Sequence, residues 1–391
     1  MTWDIASLFS DDSEADRRFR AEVRDWVAAN CPHELCHRKH RIDPPALKPW
    51  HRKLFERGWI APHWPKEYGG MGASLTQQII LFEEIVRAGA PTPYPHGLNF
   101  IGPIIIQAGT EAQKARFLPS ILSGEATWCQ GYSEAGAGSD LASLQTRAVL
   151  EGDHFVVNGH KLWTTNGHYA DWMFALVRTD PDAKPKHAGI TMLLIDMHSP
   201  GIRVKPIETL KGDSEFAEEF FDNVRVPKEN MLGGLNQGWR IAGMVLGGER
   251  FTTGHPRYAL VYLNQARQIA RQTGAWDNPA FQQRLTALEI DLLAFIAYYR
   301  HAAQLHAAKA APMSVAPVIK IAGGMLAQRS SELMLQAAGM AGVLTDDIEI
   351  PSGAVNVASD LFEMRRLSVG SGTTEINRNI ISKRVLGLPD E

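Results

Sequence analysis

Residues 144–159 read Leu-Gln-Thr-Arg-Ala-Val-Leu-Glu-Gly-Asp-His-Phe-Val-Val-Asn-Gly. Leu144, Thr146, Ala148 and Leu150 recur at period two, the spacing of one face of a strand. Glu151-Gly152-Asp153 reads as a turn and 155–157 as the returning strand. Asn158-Gly159 then reads as a further hairpin signal. Strand-like runs continue at 172–178, 190–196, 202–207 and 219–226, so the block 127–234 is expected to be a small all-β domain.

On either side the pattern changes to that of helices. Ser13 precedes an acidic turn with Asp16 at the capping-box position, and Phe19, Val23, Trp26 and Val27 follow at helical spacing until Pro32. Helices are expected over 47–57, ending at Gly58, and over 74–87, ending at Gly89. Another runs from the capping box Thr110-Glu111-Ala112-Gln113 to about 122. After the strands come long helical patterns at 236–253, 257–272, 279–308, 314–338 and 374–385, with Gly247-Gly248 and Pro256 interrupting the first pair. Helices, then strands, then a bundle is not the alternation that builds a parallel nucleotide-binding sheet. The class is α+β, with expected domains at 1–126, 127–234 and 235–391.

Composition narrows the function. The chain has 391 residues, enough for two or three domains, and a formal net charge of −3 gives no basic surface for nucleic acid. No run of 18 apolar residues suggests a membrane span. The acidic first 16 residues lack the apolar core of a signal peptide, so a reducing cytoplasm is the expected compartment. The three cysteines, Cys31, Cys36 and Cys129, make no disulfide framework. Cys31 and Cys36 with His33, His37 and His40 could be read as a metal pair. The cluster lacks a second cysteine pair, so a polar loop is preferred and no metal is expected.

Two motifs suggest chemistry. Gly136-Ala137-Gly138-Ser139-Asp140 resembles a phosphate-cradling loop, but Leu141 stands where the dinucleotide fingerprint needs its third glycine, and β-type alternation follows. Its backbone N–H groups and the Ser133 and Ser139 hydroxyls still suit a ligand lying against backbone; a plain connection into the β domain is an equal reading. Trp163-Thr164-Thr165-Asn166-Gly167 could wall an aromatic cofactor, or could simply be core.

Taken together, residues 132–140 (Tyr-Ser-Glu-Ala-Gly-Ala-Gly-Ser-Asp), 163–167, the tail Gly372-Thr373-Thr374-Glu375-Ile376-Asn377-Arg378-Asn379-Ile380-Ile381 and the loop Trp64-Pro65-Lys66-Glu67-Tyr68-Gly69-Gly70-Met71-Gly72 closely resemble the acyl-CoA dehydrogenase family, in order and over nearly the whole chain. The resemblance implies an N-terminal helical domain, a middle β-barrel domain and a C-terminal four-helix bundle, with FAD between the last two. It implies flavin contacts from Tyr132, Ser133, Trp163 and Thr165, contacts to the FAD phosphates and ribose from Thr373 and Glu375, and ligand contacts from Ser139. Gln336-Ala337-Ala338-Gly339 matches a motif that reaches a neighbouring subunit's FAD, with Met340 in place of its second glycine. Arg271, displaced by one position from the family pattern, is the candidate for the FAD pyrophosphate.

The reaction implied is α,β-dehydrogenation of an acyl-CoA thioester, as in fatty-acid β-oxidation. Many members carry the general base directly before the Gly-Thr of the tail. Here that position is Ser371, which cannot take a proton unaided at neutral pH. A minority branch carries the glutamate on the first helix of the C-terminal bundle, before an arginine, which points to Glu249 as base and to Arg250 as a contact for the CoA moiety. The alternative for Glu249 is a solvated carboxylate. The expected assembly is a homotetramer passing electrons to an electron-transfer flavoprotein, with a dimer or mixed tetramer as alternatives. The alternative functions are a flavin-binding or base-donating subunit of a mixed oligomer, or an oxidase or monooxygenase on the same scaffold. Gly243, Gly247 and Gly248 could open space for a branched, cyclic or steroid-like acyl group. Pro95, His96, Leu98 and Phe100 are candidates to line its pocket, with core packing the default.

Overall fold

The computed structural model describes residues 13–36, 42–308, 315–344 and 346–389, with backbone alone at 247, 248, 251, 252, 306 and 307. Five helices come first: α1 (Glu14–Asn30), α2 (Pro44–Arg57), α3 (Leu75–Arg87), α4 (Gly102–Ala108) and α5 (Glu111–Ser123). Strands β1 (Trp128–Gly131), β2 (Arg147–Glu151), β3 (His154–Thr165), β4 (Trp172–Arg178), β5 (Ile190–Asp196), β6 (Ile202–Ile207), β7 (Phe216–Pro227) and β8 (Met231–Leu232) follow. Then come α6 (Gly238–Thr253), α7 (Arg257–Thr273), α8 (Pro279–Ala307), α9 (Val315–Ala338), the hairpin β9 (Ile348–Ile350) and β10 (Gly353–Val355), α10 (Val357–Arg365) and α11 (Thr374–Arg384).

The order of helices, strands and helices is the one read from periodicity. The Ser13/Asp16 and Thr110/Gln113 capping boxes both form. Asn158-Gly159 is not a turn. The β2–β3 reversal is made at Gly152, whose φ of 64° suits glycine, and β3 runs on to Thr165 with a bulge between Val157 and Gly159. A side chain at Gly159 would meet Thr146 Oγ1 at 2.5 Å, so close approach rather than reversal explains that glycine. Gly247 and Gly248 do not interrupt α6, which continues through them.

The residues pack into two units. One comprises Ile42–Ala73 and Thr92–Gly247. Its sheet runs β6-β7-β3-β2-β4-β5-β8, with β1 added in parallel on β4. Cys129, Ala148, Phe155, Val157, Met173, Val177, Leu193, Ile195 and Val224, from six strands, fill one core. Beside the sheet, Trp64 is buried and its indole N–H donates to the Leu98 carbonyl at 2.8 Å. His96, Leu98 and Phe100 lie buried on a π-helical turn ahead of α4, with the His96 ring stacked on Tyr94 and edge-on to Phe100. They are packed as core.

The other unit comprises the described parts of Met1–Arg41, Ser74–Pro91 and Gly248–Glu391. Leu263, Ala266 and Ile269 of α7 pack with Leu285 and Leu292 of α8 and with Ile319, Ala327 and Met334 of α9. Gly254 and Gly323 let the chain after α6 touch α9, since a side chain at Gly254 would meet the Ile319 carbonyl at 2.5 Å. Helix α1 is tied to α3 by Arg20, which reaches Glu83 at 2.7 Å and Glu84 at 3.1 Å, and by Arg24, which reaches Glu84 at 2.9 Å. The Cys31 and Cys36 sulfurs lie 3.0 Å apart. His37 and His40 lie outside the described residues, among which no group of three or more metal-ligating side chains occurs. No described helix is long and apolar enough to cross a membrane.

Candidate active site

In the sheet unit the candidate residues sit on two facing backbone segments. Tyr132 follows β1, and its carbonyl accepts from Lys161 Nζ at 3.0 Å. The Ser133 carbonyl accepts from the Leu162 N–H at 2.9 Å. Glu134 pairs with Lys161 at 2.8 Å and accepts from the N–H groups of Gln145 at 2.6 Å and Thr146 at 2.9 Å. Burial alone would push the Glu134 carboxyl up, but Lys161 and the hydrogen bonds outweigh it and hold the group below its ordinary range. Residues 132–134 are therefore clamped to β3. Beyond them, side chains at Gly136 or Gly138 would meet nothing within 4 Å, and Ser139 is exposed, so the loop presents open backbone. A 3-10 turn over Leu141–Ser143 follows instead of the α-helix that a dinucleotide fingerprint requires.

Trp163 stands out on β3. A register shift between Leu162 and Thr164 places it at φ 65°, left-handed for a bulky residue, and leaves its indole 57% exposed, edge-on to Phe216. Beside it the Thr165 carbonyl accepts from the Tyr94 hydroxyl at 3.1 Å. Beneath it Thr164 donates to Glu219 at 2.6 Å, and burial pushes the Glu219 carboxyl up to about 8. A wet, flat aromatic held in a strained conformation by a rigid strand pair is a platform for stacking a ring.

In the helical unit the site is built at the end of α6. Glu249 and Thr253, one turn apart, share a face. The tail brings Ser371 to both, with Oγ 2.7 Å from Glu249 Oε1 and 2.9 Å from Thr253 Oγ1. Arg250 lies by Gly372, with its buried Nε unpartnered and its guanidinium pushed below the usual value by burial. Lys320 of α9 is buried with no hydrogen-bond partner at Nζ; burial first and then Arg250 bring it to about 8, against the pull of Glu375 and Glu249. Thr373 caps α11, accepting from the Ile376 N–H at 3.2 Å, and Glu375 is exposed in the first turn. Glu249, Arg250, Thr373 and Glu375 thus belong to one neighbourhood.

Arg271, Gln336 and Gly339 do not join it. Arg271 lies over the Trp276 ring at the end of α7, Gln336 accepts from Arg284 at 2.9 Å, and the Thr273 hydroxyl ties that end to the Ala337 carbonyl at 2.7 Å. Along α9 this end is about 24 Å from Lys320 at 1.5 Å per residue. Sequence reasoning missed Lys161, Glu134, Glu219, Thr253 and Lys320. Lys161 and Glu219 are paired across β3 and β7 at inward positions, and Lys320 breaks an apolar run, which was the available signal.

Family models match almost the whole described chain: acyl-CoA dehydrogenase N-terminal domain at 13–125, middle domain at 129–224 and C-terminal domain at 236–386. Among curated proteins, acyl-CoA dehydrogenase IpdE1 of Mycobacterium tuberculosis is 36% identical over 95% of this chain and 98% of its own length. Among solved structures, the Tcur3481-Tcur3483 steroid ACAD has a TM-score of 0.85 at 29% identity, covering 97% of this chain and 99% of that one. The ChsE4-ChsE5 complex from Mycobacterium tuberculosis has a TM-score of 0.83 at 30% identity, covering 98% of this chain and 100% of that one.

Proposed function

The chain belongs to the acyl-CoA dehydrogenase family, and from that premise we propose that it oxidises the α,β bond of an acyl-CoA thioester with FAD, using Glu249 as the base. The observation that carries the reading is the 2.7 Å contact between Ser371 and Glu249. The tail position that holds the base in many relatives bears a hydroxyl here, and the carboxylate of α6 reaches it.

The residues of the sheet unit fit an isoalloxazine. Trp163 offers a solvent-facing indole, Thr165 and Ser133 offer hydroxyls, and Gly136 and Gly138 leave backbone uncovered. Tyr132 completes that set, and Ser139 stands open to substrate. Bound FAD would supply the acceptor for the β-hydride. Glu249 takes the α-proton as the thioester carbonyl is polarised. Its carboxylate needs a water-poor setting for that task, because exclusion of water raises the basicity of a carboxylate. Arg250, with a free buried N–H, suits the CoA phosphates, and Thr373 and Glu375 suit the FAD phosphates and ribose. Arg271 at the end of α7 and Gln336–Gly339 at the end of α9, apart from the group around Glu249 and Lys320, suit a cofactor bound to a second subunit.

Electron-transfer flavoprotein is the proposed acceptor, and the domain boundaries proposed are 126/127 and 234/235. A mixed oligomer is the second reading. The likeness to the ChsE4-ChsE5 complex and the substitution of Met340, 83% exposed, for a glycine favour it over a homotetramer. The likeness to a steroid ACAD favours a bulky, ring-bearing acyl group.

Anaerobic titration of the flavin-loaded protein with butyryl-, octanoyl- and cholyl-CoA tests this reading. Bleaching of the flavin by at least one thioester is expected. A flavin that dithionite reduces and no thioester in a full acyl-CoA panel reduces would contradict it.

A further inference from the structure

The tail reaches α6 in an unusual way. Ser371 adopts φ 56°, a left-handed conformation that a glycine takes without strain. If residue 371 served only to vacate the space of a larger acid, glycine would do so at lower cost. The hydroxyl therefore needs its own explanation, and its contacts give one. Ser371 Oγ lies 2.7 Å from Glu249 Oε1 and 2.9 Å from Thr253 Oγ1. An ionised carboxylate only accepts, so Ser371 spends its single proton on Glu249. The second contact must then be Thr253 donating to Ser371. The order is Thr253 to Ser371 to Glu249, and both hydroxyls lie on the side of the base reached by the tail.

We propose that Ser371 and Thr253 are positioning residues that form a two-hydroxyl relay holding Glu249 in place and stabilising its ionised form. The proposal rests on the assignment of Glu249 as base. Hydroxyls rotate to suit their partners. With the α-proton taken up on Oε2, Oε1 still accepts from Ser371, more weakly than in the carboxylate, and no heavy atom has to move. The carboxyl group is thus held at one place through both of its protonation states. Fixing the base within hydrogen-bond reach of its proton is what general-base catalysis requires of the surrounding residues.

Acetoacetyl-CoA is the probe, because its enolate absorbs in the near ultraviolet and reports α-proton removal without hydride transfer. The flavin-loaded protein and its S371G, S371A, T253V, T253S and E249Q variants are titrated from pH 5.5 to 9. A hydrogen bond to a charged group is worth about a factor of ten to a hundred. In S371G and S371A the midpoint of enolate formation is expected to rise by about one pH unit or more, with flavin content unchanged. T253V moves it the same way by less, and T253S restores it. Wild-type midpoints in S371G and S371A would overturn the relay, as would T253S behaving as T253V does. E249Q separates the two claims: lost enolate there with normal S371G and S371A sinks the relay alone, whereas normal enolate in E249Q sinks the base assignment beneath it.

Discussion

The Ser371 hydroxyl donates to Oε1 of Glu249 across 2.7 Å, joining two residues 122 positions apart in the sequence. One belongs to the tail before α11, the other to α6. On the proposed assignment of Glu249 as base, the serine at the usual base position supports an acid carried by α6.

Trp163 is the exposed aromatic on which the flavin reading leans. An aromatic stacking contact is worth about 0.5–1.5 kcal/mol beyond burial. Trp163→Ala should weaken FAD binding about threefold to tenfold, read from quenching of FAD fluorescence on titration into apoprotein. Because the indole is exposed, the thermal midpoint of the apoprotein should hold. An unchanged FAD affinity would remove Trp163 from the cofactor site.

Glu84 is buried and faces Arg20, Arg24 and, at 3.6 Å, Arg87. Removing one partner of a buried ion pair leaves uncompensated charge and costs about 3–5 kcal/mol. Glu84→Ala should therefore lower the thermal midpoint by several degrees, whereas Arg18→Ala, at an exposed pair with Glu14, should change it little. Equal effects of the two would refute the burial argument.

Glu219 gives a pH signature. Its carboxyl is raised from 4.5 to about 8 by burial, so between those values the folded chain holds a proton that the unfolded chain has released. Stability should fall as pH rises through that window and level off above it. Glu219→Gln keeps an acceptor for Thr164 and removes the titration. The variant should gain on the wild type by a few kcal/mol, of order 1.4 per unit of raised pKa, as pH goes from 5 to 8. Parallel profiles of thermal midpoint against pH would contradict this.

Local order was legible in the sequence because side-chain period and caps are local. The bounds of β4, β5 and β6 match the strand-like runs at 172–178, 190–196 and 202–207, and the starts of α1 and α5 follow from Ser13 and Thr110. Asn158-Gly159 misled because a turn signal is also what a bulge at a close strand crossing looks like. The π-helical turn at His96–Ile101 and α10 were missed, since neither carries a long helical stripe. Glu249 and Arg250 are singled out by family resemblance, whereas Thr253 and Lys320 are not. Their relation to the tail depends on how α6, α9 and residues 370–373 pack, which no local pattern encodes.

The most direct test of the account is the rate of flavin reduction by the best acyl-CoA substrate, measured anaerobically by rapid mixing for wild type and Glu249→Gln. Loss of the general base should slow it by about 10²–10⁴-fold with FAD still bound. Reduction at the wild-type rate in the glutamine variant would contradict the account.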